Sequence, residues 1–247
     1  MPTIQSLLLF ILGHLFFAGP QIAQQVVTIQ QPATGGGGVN PSWHNSTGCT
    51  SGGASCGGSG NLAVTTGDLI LACPVNNSTA TVTTMSDSAG DTFTQVTGSP
   101  WGTVTRLACY TATSSTTTTT LDFTCTVSSS VNYMGCLFNS YTGATGTPSV
   151  DVAPAEAGNV ATTSLVTGTT STTTVAKELL VGVCAVTASS FPTITAGGSY
   201  NLRPIVGSGT TLAAFTEDLA VTSTGAYQAT ANASLSSTGP CTIIALK

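Results

Sequence analysis

Apolar and polar residues alternate with period two along most of this 247-residue chain, and beyond its apolar N-terminus no stretch has helical spacing. The alternation is plain in Asn61–Thr65, Thr81–Met85, Leu121–Val127 and Tyr227–Ala233. Threonine and valine dominate these stretches, and their branched Cβ atoms disfavour helix and suit a pleated surface. Leu69–Cys73, Leu179–Val186 and Cys241–Leu246 are continuous apolar runs, the pattern of central strands covered on both faces. Clusters of Gly, Ser, Asn, Asp and Pro interrupt the runs roughly every 8 to 15 residues. This rhythm predicts an all-β protein, an antiparallel β-sandwich of about ten to thirteen strands.

The apolar run Leu7–Ala18 is too short for a bilayer-spanning helix, which needs about 20 residues, and has the length of a secretory signal. Residues 1–23 are read as a signal peptide cut after Ala23, leaving a secreted or surface-exposed protein with no membrane insertion. The eight cysteines are even in number, as a disulfide framework in an oxidising compartment requires. None of them has the close paired spacing of a zinc module.

Only 5% of residues are charged, and nine acidic against four basic side chains give a net charge of −5. Without a basic stripe to displace counterions from phosphates, nucleic acid is excluded as a partner. Hydroxyls and amides must solvate such a surface, and sugars can add to them. Asn45, Asn76, Asn77 and Asn232 head sequons for N-glycosylation.

Residues 24–60 read as an N-terminal strand, Gln25–Gln30, followed by a Gly/Ser-rich loop clipped by a Cys49–Cys56 bridge. Residues 61–247 read as one sandwich domain with an internal repeat. Thr65–Val75 resembles Thr174–Val186, each with a carboxylate (Asp68, Glu178) before a buried-strand pattern. Ala89–Thr94 resembles Gly197–Leu202, and Tyr133–Phe138 resembles Pro240–Ala245. Residues 61–145 and 172–247 thus look like two versions of one unit that interleave or face each other. Cys109 and Cys125 flank Ser114–Thr120, which reads as a hairpin loop, so they are expected to pair across adjacent strands. The partners of Cys73, Cys136, Cys184 and Cys241 stay open.

Few residues offer chemistry. Asp87 and Asp91 flank a glycine turn and form a weak calcium candidate, although the same residues make an ordinary Asx turn. Glu217 and Asp218 are the one adjacent acidic pair. As strand neighbours they point to opposite faces, so they form no acid/base dyad unless a distant carboxylate such as Asp151 or Glu156 joins them. A charge that protects a turn or an edge strand is the simpler reading. A Ser-His-Asp triad would have to use His44, in the glycine-rich loop. No catalytic residues, metal or cofactor are expected, and the protein is read as a non-enzyme. Trp101 and Trp43 stand in loop-like settings as candidate platforms for stacking a sugar ring.

Gly67–Leu71, Ser86–Thr94, Glu178–Val183 and the closing Gly225–Ala231 resemble a loose group of secreted or surface β-sandwich modules of environmental bacteria and phages. The likeness spans roughly residues 61–247. It implies an immunoglobulin-like or jelly-roll sandwich with an adhesive role and transfers no catalytic residues. The reading that follows is a binding protein for glycans or a surface partner. A self-associating structural subunit of an extracellular fibre, coat or matrix is the alternative, and a glycoside hydrolase a distant third.

Overall fold

The computed structural model describes residues 41–143, 148–208 and 211–247. The signal segment, Gln25–Gln30 and the four-glycine run Gly35–Gly38 lie outside the described residues. Thirteen strands are present among them: β1 (Ser42–Val64), β2 (Leu69–Asn76), β3 (Val82–Asp87), β4 (Thr94–Gln95), β5 (Arg106–Leu107), β6 (Tyr110–Thr113), β7 (Thr118–Thr142), β8 (Ala155–Val166), β9 (Glu178–Thr187), β10 (Ile194–Ala196), β11 (Asn201–Ser208), β12 (Leu212–Val221) and β13 (Thr230–Leu246). They form two antiparallel sheets, as the alternation predicts. The first runs β1-β7-β2-β6-β4, with β3 on β7 and β5 on β2; the second runs β10-β13-β9-β12-β11, with β8 on β13.

Each half of the sequence therefore builds one sheet, and the two sheets face each other. Strands matched in the sequence comparison hold the same places. β2 and β9 are central, β7 and β13 flank them on one side, and β6 and β12 flank them on the other. The central runs are buried on both faces. In β9, Val181, Val183 and Ala185 meet Leu71, Cys73 and Leu137 of the other sheet in the inter-sheet core. The alternate residues Cys184 and Val186 pack with Phe215 and Cys241 on the far side.

The Gly/Ser-rich segment expected as a loop is instead strand β1, paired with β7 along nearly its whole length. Missing side chains let it approach the second sheet. A Cβ on Gly48 would lie 2.2 Å from Val206 Cγ1, and one on Gly135 would lie 3.2 Å from Val206 Cγ2. Register shifts at Ser51/Gly53 and Gly53/Ser55 bend the ribbon. Its far half folds over the outer face of the first sheet. There Phe123 stacks on Phe138 with ring centroids 4.0 Å apart. Ser140, which is in register with Asn45, donates its hydroxyl to Ala63 O at 2.8 Å, so β1 curls back on its own start. Buried Asp68 closes the seam, accepting from Thr142 Oγ1 at 2.7 Å and Thr65 N at 2.8 Å and meeting His44 Nδ1 at 2.7 Å.

All eight cysteines are bridged, as Cys49–Cys56, Cys73–Cys109, Cys125–Cys136 and Cys184–Cys241. The expected Cys109–Cys125 pair is not among them. Residues 114–117 are no hairpin loop, because β6 pairs with β2 while the start of β7 crosses to the outer layer and pairs with β1 and β3. Four disulfides fit an oxidising compartment. Among the described residues no helix is long and apolar enough to cross a membrane.

Candidate functional site

The two tryptophans are held differently: Trp101 is buried, and Trp43 is half-buried. Trp101 is only 8% exposed and joins the inter-sheet core. A two-way backbone bridge to Leu107 holds it there, at 2.8 and 3.0 Å. Trp43 lies on β1, not in a loop, and the Arg203 guanidinium covers its ring at 4.2 Å. The reading of Trp101 as a sugar-stacking platform is corrected, since its indole belongs to the core; Trp43 packs partly against that core, with Arg203 over its ring.

The carboxylates are also absorbed by the fold. Glu217 and Asp218 point to opposite faces of β12, in mid-sheet between β9 and β11, so they are neither turn nor edge charges. Asp218 turns inward and takes a bidentate contact from Arg203 at 2.6 and 2.7 Å. Burial raises its pKa, and the guanidinium opposes that shift. Glu217 is buried on the outer face opposite Gly182, where a Cβ would stand 3.1 Å from Glu217 Cγ. Burial and the neighbouring Asp218 charge push its pKa up to about 8. Asp151 bonds Lys247 Nζ at 2.7 Å and Thr174 N at 2.6 Å. Burial works against its ionisation, yet these partners hold it well below the ordinary carboxylate range. Wholly buried Glu178 meets Asp151, and burial and that anion raise its pKa to about 7. Two carboxyls in hydrogen-bond contact stand much closer than the roughly 5 to 9.5 Å of glycosidase pairs. Of these four carboxylates, Asp151 lines the threonine cleft described below.

Asp87 Oδ1 accepts from Ala89 N and Asp91 N, both at 3.0 Å, and Asp91 Oδ1 accepts from Ser115 N at 3.0 Å. The pair closes an Asx turn, and among the described residues no third His, Cys, Asp or Glu gathers there. Of the sequon asparagines, Asn76 is buried and donates to Ala80 O at 3.2 Å. Asn77 accepts from Tyr133 N at 3.3 Å, Asn45 is half-buried, and Asn232 is exposed.

An open concavity lies where no motif pointed. A cleft of about 670 Å³ lies between the β4/β6 edge of the first sheet and the segment 148–154 that leads to the second. Thr92, Thr94, Thr97, Thr111 and Thr113 line it, with Gln95 beside them. All but half-buried Thr111 are exposed. Backbone pairing sets Thr94 opposite Thr111 and Thr113 opposite Leu69. Among the described residues, no protein group bonds to any of the five threonine hydroxyls. The cleft's only ionisable group is Asp151, whose side chain is wholly buried. Two segments well apart in the chain, 92–97 and 111–113, supply the threonines, so no local motif marks their convergence. Such a site presents hydroxyls, an amide and apolar methyl groups.

No family of proteins, no curated protein and no solved structure matches this chain.

Proposed function

We propose that this is a secreted, non-catalytic β-sandwich that binds a glycan in the threonine-lined cleft. The observation that carries the reading is a set of five hydroxyls with no protein partner among the described residues, in a cavity of about 670 Å³, a volume within the common range for ligand sites. Hydroxyls of this kind exchange hydrogen bonds with sugar hydroxyls, and the threonine methyls cover apolar ring faces. The disulfide framework and the N-terminal apolar segment support export. The likeness to secreted modules of environmental bacteria and phages supports an adhesive role.

The test is a glycan array probed with the oxidised protein and a triple variant, Thr94→Val, Thr111→Val, Thr113→Val. These swaps keep side-chain shape and remove three hydroxyls. Binding by the parent that falls at least tenfold in the variant, at equal thermal stability, is the expected result. Equal binding by both proteins would place the ligand elsewhere.

A structural subunit is the second reading, supported by β8. Among the described residues this strand of 12 residues pairs only with β13, and Val160 near its middle is 77% exposed. A one-sided strand is a template for adding another. Concentration-dependent polymers on a sizing column, suppressed by Val160→Lys, would favour it.

A further inference from the structure

We infer that a notch around Arg106, adjoining the cleft, holds the carboxylate of an acidic sugar, so that the protein prefers uronate-bearing over neutral glycans. The inference rests on the glycan reading of that cleft. Of the chain's four basic residues, Arg203 is bound to Asp218 and Lys247 to Asp151, and Lys177 is exposed. Arg106 differs. It is half-buried on β5, its Nε is shielded from solvent, and among the described residues no acceptor bonds to it. An incompletely bonded guanidinium in partly dry surroundings is costly, and a carboxylate relieves that cost through paired N–H···O bonds.

The surrounding side chains do not satisfy it. Asn76, opposite Arg106 in register, spends its amide on Ala80 O and accepts from Ser78 N at 3.0 Å. Gln95 donates Nε2 to Ser99 O at 2.7 Å, which leaves its Oε1 for a ligand hydroxyl. Tyr110 is half-buried and lines the notch together with Pro74 and Pro100. The notch holds about 130 Å³, room for one charged substituent and part of a ring. Gln95 lines both notch and cleft, so a polymer lying in the cleft can place one acidic group on Arg106.

The experiment titrates methyl glucuronide, methyl glucoside and acetate separately into the oxidised, ¹⁵N-labelled protein, following the Arg106 Nε–H resonance. The expected result is a saturable shift with glucuronide, at least tenfold tighter than with glucoside or acetate, and lost from the backbone amides of 106–113 in Arg106→Gln. Because the three ligands are compared on the parent protein, the test survives a variant that folds poorly. Equal response to glucuronide and glucoside, or none, overturns the inference even if neutral glycans bind the array. Acetate binding as tightly as glucuronide also overturns it, since the notch would then be a bare anion site. A glucuronide response together with a blank array would uphold the notch and remove the glycan reading of the cleft.

Discussion

A tryptophan amid Gly, Ser and Pro has the same local signature whether it stacks a ligand or closes a core, and only burial separates the two. For Trp101 the core interpretation has a measurable consequence. Trp101→Ala should cost about 3 to 5 kcal/mol in denaturant unfolding, whereas an exposed stacking residue would cost almost nothing. Arg203 is a comparable case. Removing it by Arg203→Ala leaves Asp218 buried and unpaired, and a loss of about 3 to 5 kcal/mol is expected. Neither role was readable from the sequence, since Arg203 and Asp218 meet only through the register of β11 with β12. The cleft threonines were hidden for a related reason. Threonine is so frequent here that no single one stands out, and only the β4–β6 pairing gathers Thr94 and Thr111.

Strands that bury side chains announced themselves. β2, β9 and the end of β13 are continuous apolar runs, and the turns between strands carry their expected residues. β1 was misread because glycine leaves no alternation to detect, although those same glycines let Val206 pack against the ribbon. Cys109 and Cys125 were paired on local hairpin logic, which fails when a connection changes layers. The actual bridges differ in what they constrain. Cys184–Cys241 closes 57 residues and Cys49–Cys56 closes 7. In the chain-entropy view their loss costs about 4 and about 2 kcal/mol. Replacing both cysteines of each pair by alanine and comparing urea midpoints checks the order, with the Cys184–Cys241 variant the less stable.

At the scale of the molecule, each half of the chain builds one of two facing sheets, and the runs likened in sequence hold corresponding positions in them. Uncommon burial of acid gives the whole protein a pH profile. Glu217 and Glu178 titrate near 8 and 7 when folded, so the native state keeps protons that the unfolded chain releases near pH 4.5. Stability is therefore full below that point and declines as pH rises through 7 and 8, by up to about 1.4 kcal/mol per unit for Glu217. Asp151, with its lowered pKa, acts oppositely and costs stability only as pH falls below about 4. The melting temperature should peak near pH 4 to 5, and Glu217→Gln should flatten the alkaline decline.

The central claim, a glycan held in the threonine cleft, is tested most directly by hydrogen–deuterium exchange of the oxidised protein with and without the best array ligand. Slowed exchange confined to residues 92–97, 111–113 and 148–154 is the expected result. Protection along β8 instead, with the cleft unchanged, would contradict the account.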